Sequence, residues 1–225
     1  MAPELASATS PAIPAGPTVL VPVGSIEQHG PHLPLDTDTI IATTVASRAA
    51  EQMTAAGTSV LVAPALTYGS SGEHQDFSGT SSIGTTVLHD VLVELTRSMS
   101  TWASRIVFVN AHGGNVVALR GAVRRLVDEG HDVDWAACAT EEVDLHAGRT
   151  ETSLMLHIAP WNVWLDRAEA GNTGTLAELL PLMMAGGVKA VSPNGVLGDP
   201  TGASAEEGAA ALASMVADVV DAVRR

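Results

Sequence analysis

The stretch "RIVFVNAHGGNVVALRGAVRRLVDEG", residues 105–130, passes from a β-branched run through a polar loop into a helical pattern. "RIVFVN" (105–110) is continuously apolar rather than alternating, as expected of a strand covered on both faces. "AHGG" interrupts it, and "NVVALRGAVRRLVDEG" (115–130) then places apolar residues at helical spacing. The same order occurs twice before. "TVLVPV" (18–23) leads through the loop "GSIEQHGPHLPLDTD" (24–38) to "DTIIATTVASRAAEQMTAAG" (38–57), where Gly57 suits a C-terminal cap. "SVLVAP" (59–64) leads through a Gly/Ser-rich loop to "TTVLHDVLVELTRSMSTWA" (85–103). A fourth strand, "VDWAAC" (133–138), follows. Strand–helix alternation of this kind implies a parallel sheet with right-handed crossovers. The expected fold is α/β: a single-domain, three-layer sandwich with a mostly parallel central sheet, spanning 18–225. After "HAGRTETS" (146–153) come a short helical piece, an irregular Trp-, Gly- and Pro-containing stretch (159–200) and an Ala-rich helix (203–224).

Composition agrees with one well-cored unit. The chain has 225 residues, 46% apolar and 16% charged, within the size a single core reaches. Aromatic residues make up only 3%, so Ala, Val, Leu and Ile must build the interior. A net charge of −14 opposes contact with the polyanionic backbone of nucleic acid. No apolar run approaches the ~20 residues of a bilayer span, so no membrane partner is expected. Residues 1–17, rich in Ala, Pro and Ser, lack the basic start and apolar run of a secretory signal and read as a flexible tail. Cys138 is the only cysteine. That fits a reducing cytoplasm and, in a strand, a packing role.

In open α/β sheets ligands sit beyond the carboxyl ends of the strands, and there this chain gathers its reactive groups. Glu27, His29 and Asp38 follow the first strand, and Glu73 and His74 the second. Asn110 and His112 follow the third; Glu142, Asp144 and His146 follow the fourth. Histidine and carboxylate are the usual ligands of Zn, Mn and Fe(II). In "EQH", Glu27 and His29 share one side of an extended segment. Asp38 and Glu151 each open a helix, where the dipole favours a carboxylate. Five ligands, Glu27, His29, Asp38, His112 and Glu151, suffice for two metal ions if one carboxylate bridges, and two such ions suit hydrolysis of an amide-type bond. Several other residues read as ordinary structure: Asp36 as a helix N-cap, His89 and His131 as solvent-facing, His157 as core-edge. The glycines 113–114 fit a phosphate cradle at a helix N-terminus, but no G-x-G-x-x-G or Walker pattern accompanies them, which makes nucleotide binding the weaker reading.

Four ordered motifs, "VPVGSIEQHGPHLPLDTD", "GSSGEHQDFSGT", "VNAHGGN" and "HAGRTETS", resemble the creatininase family of metal-dependent amidohydrolases. The later "AGN…GGVKAVSPNGVLGDPTGASAEEG" is similar to one branch, the creatininase-like peptidases of mycofactocin biosynthesis. The resemblance implies two divalent metal ions per subunit, zinc with iron or manganese. One would be held by Glu27, Asp38 and His112, the other by His29, Asp38 and Glu151. It further implies His146 as proton shuttle or substrate holder, with Glu73 a second catalytic candidate and His74 and Asn115 substrate-binding candidates. A homohexamer, a trimer of dimers, is the implied assembly. The branch implies a modified precursor peptide as substrate, cut near its C-terminus to release a Val-Tyr-derived unit. The wider family implies a small cyclic amide or formamide instead. Two departures argue against creatinine itself. Creatininase carries a glutamate ligand where Gly114 stands, and an acid where Arg149 stands. Trp161 and Trp164 read as core or subunit-interface packing, with lining of the substrate pocket the alternative.

Overall fold

Every β-strand that the periodicity predicts is present in the computed structural model, which describes residues 4–139 and 144–224. The strands are β1 (Thr18–Val23), β2 (Val60–Val62), β3 (Arg105–Asn110) and β4 (Val133–Ala137). They form one parallel sheet in the order β2-β1-β3-β4. Val19 lies opposite Leu61 on one side and Ile106 on the other, so β1 is interior and wholly buried.

Alternation along the strands divides the core into two layers. Leu20, Val107 and Val109 face α1 (Thr37–Ala55), α4 (Arg149–Ile158) and α6 (Ala205–Arg224). Val19, Val21, Ile106 and Phe108 face α2 (Gly84–Met99) and α3 (Val116–Asp128). This is the expected three-layer sandwich, and it explains why the strands read as unbroken apolar runs. Cys138 is half-buried and packs against the first of these cores, where burial pushes its thiol pKa up.

The structure departs from expectation in four places. The stretch 159–200 contains a helix, α5 (Leu176–Val191), kinked at Gly187 and carrying Pro181. Its start is marked by a capping box in which the Thr175 N–H donates to Glu178. Residues 4–17 do not trail away. Glu4 bridges to Val62, Leu5 packs against the core, and two 3-10 turns (Leu5–Ser7 and Ser10–Ala12) run between. This segment covers the free edge of β2, which otherwise exposes unpaired backbone groups. His157, expected at the core edge, is exposed. Asp36 occupies the N-cap position of α1, but its side chain makes no capping hydrogen bond. Glu142, named after the fourth strand, lies outside the described residues.

Candidate metal centre

The loop 24–36 between β1 and α1 descends into the carboxyl edge of the sheet, where Glu27 and His29 are fully buried. The Glu27 N–H donates to the Leu35 carbonyl, 3.0 Å, so the loop folds back on itself and brings Asp38 beside its own start. β3 delivers His112 to the same place. α4 delivers Glu151 in its first turn, and the segment before it delivers His146.

Asp38 stands between two histidines. Its Oδ1 lies 3.2 Å from His29 Nε2, and its Oδ2 lies 3.4 Å from His112 Nδ1. The Ser25 hydroxyl donates to Oδ2 at 2.6 Å and holds the carboxylate in that orientation. Glu27 Oε2 lies 3.2 Å from His112 Nε2, while Oε1 lies 3.4 Å from His74 Nε2 and 3.7 Å from His146 Nδ1. Glu151 Oε2 reaches within 4.0 Å of His29 Nε2 and accepts the Ala147 N–H at 2.6 Å. Ala147 adopts φ +52°, the one positive value at a non-glycine among the described residues, and that turn aims its N–H at Glu151. All five residues expected as ligands are therefore brought together. Their atoms fall into overlapping groups within 4.8 Å: Glu27, Asp38 and His112; His29, His146 and Glu151; Glu27, His74 and His146.

The electrostatics of the cluster centre on negative charge. Burial would raise the Glu27 carboxyl, but the imidazoles of His112, His74 and His146 hold it well below the usual carboxylate range. Burial also opposes charge on His112, yet Glu27, Asp38 and Glu73 pull its pKa up to about 10. His29 is likewise drawn to about 10, against burial, by Asp38, Glu151 and Glu27. Desolvation dominates for Glu151, raised to about 7, and for His74, lowered to about 4. The donor set thus stabilises concentrated positive charge at its centre. Both oxygens of Glu27 are buried and make no hydrogen bond, an arrangement costing several kcal/mol unless positive charge at the centre answers it. A divalent ion held by carboxylates and imidazoles fits.

Glu73 approaches from the open side. Its carboxylate lies 3.5 Å from His112 Nε2 and its side chain is 29% exposed. Burial is the main cause of its raised pKa. Gly114 lies directly beneath: a Cβ there would meet the Ser70 carbonyl, Glu73 Oε1 and His112 Nε2. No side chain fits at 114 while Glu73 holds this position. Arg149 turns away from the cluster and pairs with Glu207 on α6 at 2.9 Å.

Two residues expected to hold substrate do otherwise. Asn115 is fully buried, and its amide accepts the Ser70 N–H and donates to the carbonyl of Gly24 and to Asn110 Oδ1. It ties three loops together and offers substrate no free donor. His74 is buried, its nitrogens facing Glu27 and Gln28. Sequence reasoning passed over two residues that matter locally. Gln28 contacts both His74 and His146, and His32 bonds Thr152 Oγ1 at 2.9 Å, linking the loop to α4. Their only signal was their place inside the His-rich loop. Trp161 is 76% exposed and Trp164 is 42% exposed, so neither packs in the core.

The family model described as creatinine amidohydrolase matches residues 4–223. The mycofactocin precursor peptide peptidase of Mycobacterium ulcerans is 55% identical, over 99% of this chain and 91% of that protein. That of Mycolicibacterium smegmatis is 57% identical over 93% and 85%. The creatinine amidohydrolase of Pseudomonas putida is 30% identical over 94% and 91%. Among solved structures, a creatinine amidohydrolase superposes with a TM-score of 0.77 at 26% identity, covering 99% of this chain and 96% of the other. With family model, near full-length relatives and shared architecture in agreement, the chain belongs to the creatininase family.

Proposed function

We propose that this creatininase-family hydrolase is a metal-dependent peptidase. In this reading it hydrolyses a peptide C–N bond near the C-terminus of a modified mycofactocin precursor peptide and releases the Val-Tyr-derived unit. The observation that carries the catalytic part is the buried Glu27 carboxylate, ringed by three imidazoles at 3.2–3.7 Å yet making no hydrogen bond. Relatives at 54–57% identity that share the name mycofactocin precursor peptide peptidase support the substrate. Glu27, Asp38 and His112 would hold one cation. His29, Asp38 and Glu151 would hold the other, with Asp38 bridging and zinc paired with iron or manganese. Such ions polarise a scissile carbonyl and bring the pKa of water near neutrality.

The chain's own groups do the rest. Ser25 and the Ala147 N–H fix the orientation of Asp38 and Glu151, so the ligands need little reorganisation. Glu73, on the open side, takes a proton from the attacking water, and His146 takes up a proton on its cluster-facing Nδ1 and passes it to the departing amine. A glycine at 114, where a Cβ would meet the Ser70 carbonyl, Glu73 and His112, leaves no room for the glutamate that the resemblance to creatininase implies there, and this favours a peptide over creatinine. The protein would work in the cytoplasm as a homohexamer, a trimer of dimers; exposed Leu180, Leu182 and Met184 on α5 suit burial against another copy.

The test is to incubate the protein with modified precursor peptide, creatinine and a formamidopyrimidine side by side, before and after chelation. Release of the dipeptide unit that stops with chelation and returns with zinc or manganese is expected. Undiminished cleavage by metal-free protein would end the mechanism. Turnover of a small amide without peptide cleavage would end the substrate assignment.

A further inference from the structure

We infer that Gln28, the middle residue of the "EQH" segment, is a positioning residue that fixes which ring nitrogen of His74 and of His146 carries the proton. Its carboxamide orientation is set by two backbone groups that each admit one role. The Gly30 N–H donates to Oε1 at 2.9 Å, and Nε2 donates to the Gly195 carbonyl at 3.0 Å. The nitrogen therefore has one hydrogen left. It points at His74 Nδ1, 2.8 Å away, and Nδ1 must accept it. A neutral imidazole accepting at one nitrogen carries its proton on the other. His74 is thus the Nε2–H form, and that N–H faces Glu27 Oε1 at 3.4 Å.

The Gln28 backbone settles His146. His146 Nε2 lies 2.7 Å from the Gln28 carbonyl oxygen, which can only accept, so Nε2 bears the hydrogen. The 3.0 Å approach between His146 Nε2 and Gln28 Nε2 is then a contact of two donors, not a bond. The remaining lone pair of His146, on Nδ1, is turned toward Glu27 Oε1 at 3.7 Å. Two imidazoles that stack tilted at 4.4 Å are thereby given opposite characters. His74 presents a donor to the cluster, and its lone pair is occupied by Gln28. His146 presents a lone pair, able to bind a cation or pass a proton. Of the two, only His146 is equipped for proton transfer at the cluster, and Gln28 keeps the pair from exchanging roles. Neighbouring groups of this type commonly change activity or metal affinity by about 10–100-fold when removed.

The tautomers follow from hydrogen-bond geometry alone, whereas their consequence for turnover rests on the peptidase reading above. The test uses zinc-loaded protein with 15N-labelled histidine. Long-range proton–nitrogen correlation should show Nε2 protonated and Nδ1 unprotonated in both His74 and His146 of the wild type. In Gln28→Glu, whose carboxylate can only accept from the ring, His74 should become protonated on Nδ1. In Gln28→Met, which removes the donor without adding charge, His74 should show both tautomers. Cleavage by Gln28→Met should fall about 10–100-fold in kcat with KM little changed. A wild-type His74 protonated on Nδ1, or a His74 signature unmoved by both substitutions, would overturn the inference. Because the wild-type spectrum alone decides the first of these, poorly folded variants do not protect it. Absence of peptide cleavage by wild type would sink the peptidase reading and leave the ring assignments standing.

Discussion

His32 should make the site acid-labile, and the size of the effect can be worked out. Its ring is fully buried, with Nε2 on Thr152 Oγ1 at 2.9 Å and Nδ1 without a partner. Burial, with a smaller contribution from His29, lowers its pKa from 6.5 to about 4. An unfolded chain therefore binds a proton in a range where the folded chain does not. The stability from this group is complete above about pH 6.5, falls as pH drops, and levels off near pH 4. At 1.36 kcal/mol per unit of pKa difference, the loss is on the order of 3 kcal/mol. The bond it strains joins the loop bearing Glu27 and His29 to the helix bearing Glu151. In His32→Gln, guanidinium unfolding of chelated protein from pH 7.5 to 4 should show a shallower decline than wild type. The two curves should converge or cross toward the acid end. Parallel curves would refute the reasoning, because His32 would then not hold its proton differently in the folded and unfolded chains.

Three further outcomes are expected. Asp38→Asn, which removes the carboxylate between His29 and His112, should lower bound metal by at least one ion per chain and cleavage by more than about 100-fold, checked by elemental analysis and kinetics; full metal content would exclude the bridge. Gly114→Ala should force apart the Ser70 carbonyl, Glu73 and His112 at about 1–3 kcal/mol, read as a lower melting temperature together with weakened metal binding. Gly208→Ala should do the same at the crossing of α4 and α6, where a Cβ would strike the Ser153 carbonyl; because α4 carries Glu151, metal affinity should fall with stability, and a variant as stable as wild type would refute it.

How far these features were legible from sequence depends on which forces place them. β1 and β3 were readable to the residue because burial on both faces makes their interiors unbroken apolar runs bounded by polar or loop residues. The candidate ligand set was readable because parallel strands bring their carboxyl ends to one edge, and Glu27, His29, Asp38, His112 and Glu151 do converge there. α5 was missed although Thr175 and Glu178 mark its start, since Pro181 and the Gly186–Gly187 pair argue locally for a loop. What holds it is tertiary: Leu179 and Val188 pack with Phe77, Leu145 and Leu197 in a small separate core. Asn115 was misread for the opposite reason. Its residue type and its place beside a histidine suggested contact with substrate, whereas its partners come from Gly24, Ser70 and Asn110, distances that spacing along the chain does not encode.

The same distinction separates the ligands from the residues that orient them. A carboxylate or imidazole announces its chemistry by type, so a cluster of them can be suspected before any fold is known. Gln28 announces nothing, because an amide serves equally well at a surface. Its role emerges only where Gly30 and Gly195 pin both ends of the amide and leave one hydrogen to choose among neighbours. Two proteins could carry the same ligands at the same spacing and differ in which histidine offers its lone pair. Which of the two rings can pass a proton at the cluster is therefore decided by backbone carbonyls and one neutral side chain rather than by the charged groups the sequence displays.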